Sequence, residues 1–352
     1  MAPPLSPRDA LERARIPSFD GVRALAILPV VFHHATPRPL EGVMGRGPLG
    51  VDLFFALSGF LITTLLCREK EATGTVRLGR FWARRALRIF PLYYAVLALF
   101  VVHAVLLRDP GPVRDHFLRS LPVHLTYTSN WLLDTNVPHS VVFGFGWSLA
   151  TEEQFYLVWP LVMRAARRTG VAATFMLGVL AVDQLADRGH LGALLGAGVL
   201  LRALRSIAAP IVGGALLALA LRSRAGLALL APVLAHRAAS LAALAALLFL
   251  AWTGGSLALA HLSMIALVGA CALRADHLLA PLLEHPIARF IGDRSYAIYL
   301  LNVPAVVAVK RLLGEGSLAL VFVLGFALSL AFAHAAHLLV ERPLLAARAR
   351  LR

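Results

Sequence analysis

Of 352 residues, 59% are hydrophobic and only 15% are charged, and the mean hydropathy is +0.75. A water-soluble domain of this length carries far more charge, so the composition excludes that class and indicates a polytopic membrane protein. The net charge of +15 gathers between apolar runs, which argues against nucleic acid as a partner and for loop anchoring, membrane lipids or anionic ligands.

Residues 1–18 form a polar, basic N-terminal segment without the apolar core or cleavage site of a signal peptide, so the first span is expected to be an uncleaved insertion signal. Ten spans are predicted. They lie at Val22–Thr36, Pro48–Cys67, Ile89–Leu107, Gly144–Met163, Val171–Leu185, Ile207–Leu221, Ala238–Trp252, Leu257–Leu273, Tyr296–Val309 and Leu318–Val340. The Gly-rich stretch Leu191–Leu201 is too short to cross alone and reads as a re-entrant or interfacial piece. The predicted fold class is thus all-α, with about ten transmembrane helices. The basic loops after the second, fourth, sixth and tenth spans fall on one side if both termini are cytoplasmic. The expected layout is the segment 1–18, a membrane domain 19–343 and a basic cytoplasmic tail 344–352. Cys67 and Cys271 match no metal spacing and read as reduced thiols, and no metal site is expected.

Polar residues inside the apolar runs mark the candidate chemistry. Arg23 and His34 are eleven residues apart, three helical turns, so they share a face and lie about 16.5 Å apart along the axis. An intramembrane histidine usually faces a cavity or a partner and can move a proton near neutral pH. His33 points about 100° away and reads as structural. Asp52 opens the second span, where a carboxylate can orient an imidazole or serve as a helix-start residue. Ser58-Gly59-Phe60 permits close helix contact. In the loop Arg80–Pro91, the residues Arg80, Arg84 and Arg88 share a helical face with Arg85 beside them, a row suited to phosphates or to lipid headgroups. The fourth span opens with Trp147, Ser148, Glu152, Glu153 and Tyr156. Its glutamates are expected far from the arginine row, so direct pairing would need a tilted geometry. The longest outer loop, Arg108–Phe143, with His116, His124, His139 and the polar run Thr126–Asn130, is the natural surface for a polar substrate. Midplane polar groups also fit a non-catalytic exporter or transport protein, although no internal repeat of the kind transporters often carry is visible.

The ordered series Phe19-Asp20-Gly21-Val22-Arg23, His34, Gly50-Val51-Asp52-Leu53-Phe54-Phe55, Arg84-Arg85 with Arg88, Trp147-Ser148-Leu149 with Glu152 and Tyr156, Ser295-Tyr296, and Glu341-Arg342-Pro343 resembles the integral-membrane acyltransferase family 3. The resemblance implies a ten-span core of a bacterial plasma (inner) membrane that takes acyl groups from cytoplasmic acyl-CoA, usually acetyl-CoA. The acceptor would be a hydroxyl of a sugar, polysaccharide, glycolipid or secondary metabolite. It further implies that His34 is catalytic and that Arg85 and Arg88 are essential. On this reading His34 acts as general base on the acceptor hydroxyl or as transient acyl carrier, Asp52 or Glu152 orients it, Arg23, Arg80, Arg84, Arg85 and Arg88 hold the CoA phosphates, and Trp147, Ser148, Tyr156, Tyr296 and Asn302 contact the acceptor. Two positions depart from the family pattern: Phe145 and Asn302 stand where members often carry histidine.

Overall fold

The computed structural model describes residues 7–13, 15–36, 47–107, 109–133, 143–196, 198–314 and 317–343. The expected tail 344–352, residues 1–6 of the N-terminal segment and His139 lie outside them. The described residues contain no strand. In chain order the helices are α1 (Pro7–Glu12), α2 (Ser18–Ala35), α3 (Pro48–Thr73), α4 (Leu78–Leu106), α5 (Pro112–Arg119), α6 (Leu121–Leu125), α7 (Ser129–Leu132), α8 (Gly146–Ala165), α9 (Thr169–Asp187) and α10 (Gly192–Leu195). They continue with α11 (Val199–Arg205), α12 (Ala209–Arg222), α13 (Arg224–Leu234), α14 (Ala239–Thr253), α15 (Leu257–Leu273), α16 (Ala280–Leu283), α17 (Pro286–Asp293), α18 (Ser295–Leu313) and α19 (Leu318–Ala336).

Among the described residues, five helices are long and apolar enough to cross a membrane, or up to seven if each of two bent helix pairs is one span. This is a multi-pass helical membrane protein with fewer self-evident spans than sequence periodicity predicts. The difference falls on helices whose apolar run is diluted or short. Helix α2 carries Asp20, Arg23, His33 and His34, α8 carries Glu152, Glu153 and Arg164, and α15 has 17 residues. Conversely, the arginine row is no loop. Helix α4 runs unbroken for 29 residues from Leu78, because no breaker separates Arg80 from Ile89 and the helix carries through Pro91.

The chain divides into two compact units, residues 1–67 with 209–337 and residues 68–208 with 338–352. In the first, α2 packs against α15, α17, α18 and α19. Two backbone-to-backbone contacts set its spacing. A Cβ on Gly59 would land on the Ile211 carbonyl oxygen, and one on Gly214 would land on that of Ala56. The small-residue contact expected at Ser58-Gly59 is therefore the α3–α12 crossing. Likewise a Cβ on Gly292 would overlap the Asp20 carbonyl, and one on Gly21 that of Leu283. Backbone cannot yield as a flexible side chain can. Gly292→Ala should therefore cost about 3 kcal/mol, near the upper end for overpacking. Its unfolding midpoint in detergent should drop clearly, whereas Gly79→Ala, with open space at its Cβ, should leave the midpoint unchanged or higher.

In the second unit, Lys70 Nζ donates to the Met163 carbonyl (2.7 Å) and to that of Ala166, neutralising the C-terminal end of α8. The expected outer loop folds into α5, α6 and α7. Tyr127 has φ +53°, a left-handed backbone costly for a bulky residue. It is held by stacking on Tyr93 at 4.3 Å and by Gln154 Nε2 donating to its carbonyl at 2.8 Å. Gln154 and Asn130 also exchange two amide hydrogen bonds of 2.9 Å. His124, Tyr127 and Asn130 are thus committed to packing rather than to a substrate-facing surface. Burial drives the His124 imidazole down to about 4. Its folded value lies below the unfolded value near 6.5, so its contribution to stability is complete above that pH and is lost as pH falls from about 6.5 towards 4. The loss amounts to about 3 kcal/mol. Thermal unfolding measured between pH 7 and pH 4.5 should show it, and His124→Gln should flatten the profile.

Candidate active site

Helix α2 carries Arg23 and His34 on one continuous rod, as their spacing predicts. His34 Nδ1 lies 2.6 Å from Asn302 Oδ1 on α18. Asn302 is fully buried, and its Nδ2 donates to the Tyr299 carbonyl at 2.6 Å, which turns the amide oxygen towards the imidazole. An amide oxygen only accepts, so His34 Nδ1 carries the hydrogen and Nε2 keeps its lone pair. Lys310 Nζ donates to the His34 carbonyl at 3.0 Å, closing the C-terminal end of α2. The His33 ring lies edge-on at 5.6 Å from that of His34.

Asp52 does not orient His34. Its Oδ2 sits 3.2 Å from Nε2 of His261 on α15. The physical reason is helix order. Gly47 and Gly50 bring the start of α3 against Pro29, Ala26 and His33 of α2, and α15 offers its own imidazole to the carboxylate. Nothing in the sequence marks His261, a lone histidine in an apolar run whose partner is 209 residues away.

At the opposite end of α2, Asp20 is buried and accepts from Arg23 at 2.8 Å and from Arg15. The Asp20 hydrogen bond holds the Arg15 guanidinium above its ordinary value. Ser240 Oγ, His277 and Ser18 Oγ form a buried chain with 3.0 Å links, and Ser18 donates to Glu284 at 2.8 Å. Ser18 gives its proton to Glu284, so His277 donates through Nε2 and accepts from Ser240 at Nδ1. Burial lowers the His277 pKa and keeps the ring neutral.

The second unit gives the other expected orienting carboxylate, Glu152, a partner on its own helix. Glu152 accepts the Tyr156 hydroxyl, one turn along α8. The Arg85 guanidinium lies over the Tyr156 ring at 5.0 Å and the Phe81 ring at 5.7 Å, within electrostatic range of Glu152, Glu153 and Arg88. No special tilt is needed. The arginines are helical from Leu78 onward, and Trp82 Nε1 donates to the Tyr156 carbonyl at 3.1 Å, which pins α4 to α8. Arg80 and Arg88 are exposed and Arg84 is half-buried. Of the expected acceptor contacts, Ser148 and Tyr156 are buried with their hydroxyls committed to Phe145 and Glu152. Asn302 is committed to His34, which makes it an orienting group rather than a substrate contact. Trp147 is exposed and Tyr296 half-buried. Phe145 packs against Phe143 and Phe100.

A multi-pass helical chain holding oriented imidazoles and carboxylates within its apolar helices has the form of an intramembrane enzyme. The chain belongs to acyltransferase family 3: the family model, described as an acyltransferase domain, matches residues 16–337. Among curated proteins it is similar to peptidoglycan O-acetyltransferase OatA of Listeria monocytogenes, 36% identical over 155 residues, and to O-acetyltransferase OatA of Staphylococcus aureus, 34% identical over 154 residues. Each match covers 42% of this chain and 24% of the relative, so the matched region spans about a quarter of those proteins. No solved structure matches the chain.

Proposed function

We propose that this protein is a membrane O-acyltransferase that moves an acyl group, acetyl in the first instance, from cytoplasmic acyl-CoA to a hydroxyl of a carbohydrate or glycosylated acceptor. In this reading the membrane domain 19–343 has ten spans with both termini cytoplasmic and resides in the bacterial plasma membrane. One observation carries the proposal: in a chain of this family, His34 has its Nδ1 hydrogen fixed on Asn302 and its Nε2 lone pair left for chemistry. An imidazole so oriented is a nucleophile or a base. Because His34 is an intramembrane side chain while acyl-CoA is cytoplasmic, we assign it the role of acyl carrier. Nε2 attacks the thioester carbonyl, the carbon–sulfur bond breaks, and CoA leaves as thiolate.

The arginines of α4 are the anion-recognition element in this reading. Arg88 is exposed and serves the donor phosphates, whereas Arg85 also stacks on Tyr156 and stabilises α4 against α8. Arg88→Ala should therefore raise the donor KM about tenfold, the loss of one charge-assisted contact, with kcat and unfolding midpoint little changed. Arg85→Ala should lower the midpoint as well. An unchanged KM in the Arg88 variant would return the row to lipid anchoring. The acceptor class follows the relative named a peptidoglycan O-acetyltransferase. Purified protein supplied with labelled acetyl-CoA should release CoA and transfer label to soluble peptidoglycan fragments or chitotetraose. Failure to release CoA, or to exchange labelled CoA into acetyl-CoA, would overturn the proposal.

A further inference from the structure

An imidazole that carries an acyl group on Nε2 has no lone pair left to take a proton. Transfer to an alcohol then needs a second base close by, because a hydroxyl is a poor nucleophile until its proton has somewhere to go. The first unit contains such a group. Asp52 accepts from His261 Nε2–H at 3.2 Å, which fixes the tautomer and leaves the Nδ1 lone pair free. About 15% of the His261 side chain and 20% of the Asp52 side chain remain exposed, so a substrate can reach the pair.

The helix arrangement places this pair within about two helical turns of His34 along the axis of α2. Ser18, at the start of α2, bonds His277, and Arg13 bonds the Ala272 carbonyl at the end of α15. Helices α2 and α15 thus run antiparallel, and the His34 end of α2 meets the His261 end of α15. Ser18 to His34 spans about 24 Å, and the end of α15 back to His261 about 18 Å, at 1.5 Å per residue. The two imidazoles therefore lie within roughly one to two helical turns of a common level. Gly47 sits at His33 and Gly50 at Ala26 and Pro29, so Asp52 lies about two helical turns from His34 along α2, on its Arg23 side.

We propose that His261, positioned by Asp52, is the general base for the acceptor half of the reaction; the inference rests on His34 acting as acyl carrier. The acceptor oxygen bonds to the acyl carbon, the carbon–Nε2 bond of His34 breaks and its electron pair returns to the ring. The hydroxyl proton goes to His261 Nδ1, stabilised by the Asp52 carboxylate, and then to solvent, balancing the proton that converts the released thiolate to thiol.

The test compares nucleophiles that differ in their need for a base. The purified full chain is given labelled acetyl-CoA, and three rates are measured: CoA exchange without acceptor, transfer to water and methanol, and transfer to hydroxylamine, which attacks without losing a proton first. In His261→Gln, exchange and hydroxamate formation should stay within about threefold of the unchanged chain, while transfer to water and methanol falls about 100-fold, the lower end of general-base effects. Asp52→Asn, which alters less packing, should show the same pattern with a smaller loss. Equal losses for hydroxylamine and methanol, or no loss for either, would overturn the role of His261. Exchange persisting in His34→Gln would instead overturn the acyl-carrier reading beneath it.

Discussion

His34→Gln should abolish acyl transfer, by at least about 10³-fold in CoA release, while the protein stays folded. Glutamine keeps a side-chain N–H that can reach the Asn302 oxygen, so the buried amide is not stranded. His34→Ala would remove that partner and add about 1–3 kcal/mol of destabilisation. The two variants therefore separate chemistry from folding. Both should be inactive, and only the alanine form should lose several degrees of unfolding midpoint. The loss should extend to the exchange of CoA into acetyl-CoA, which requires attack on the thioester but no acceptor. A His34→Gln chain that still exchanges CoA would show that donor cleavage occurs elsewhere. His33 makes the matching control. Its ring neighbours His34 but packs against Gly47, so His33→Gln should retain at least a tenth of the activity.

The sequence was informative where a local period decides the structure. Arg23 and His34 fall on one helix because eleven residues make three turns. Gly59 marks a helix crossing because only a small residue permits it, and Glu152 meets Tyr156 because they are one turn apart on α8. What depended on pairing across long sequence separations was not legible. Asp52 pairs with His261, and nothing local distinguishes His34 from His261 as its partner. Asn302 looked like a departure from a family pattern, yet 268 residues from His34 it supplies the oxygen that fixes the ring. The sequence puts the arginine row on a helical face before the third span rather than in one helix with it, because its charges interrupt the apolar signal without interrupting the backbone hydrogen bonds. The histidines and polar residues of the outer loop look available in the sequence, and only Tyr93, Phe143 and Gln154 show that His124 is buried and Asn130 hydrogen-bonded.

Asn302→Leu should reduce kcat about 100-fold while leaving the donor KM within about twofold. Leucine keeps the branched shape of asparagine, with more bulk, and offers no acceptor. The His34 ring then loses its reason to keep the hydrogen on Nδ1, and the tautomer with Nε2–H, which cannot attack a thioester, becomes populated. Loss of an orienting partner of this kind costs about 10- to 100-fold where the partner is an amide or carboxylate, and more where the wrong tautomer prevails. Donor recognition does not involve Asn302 in the proposed mechanism, so the KM should hold. Asn302→Asp retains an acceptor oxygen at the same position and should restore most of the rate, although Tyr299 O loses its amide donor. A role confined to packing predicts a different outcome. Leucine would then be tolerated as well as aspartate, or both variants would lose unfolding midpoint and kcat together with no selective recovery.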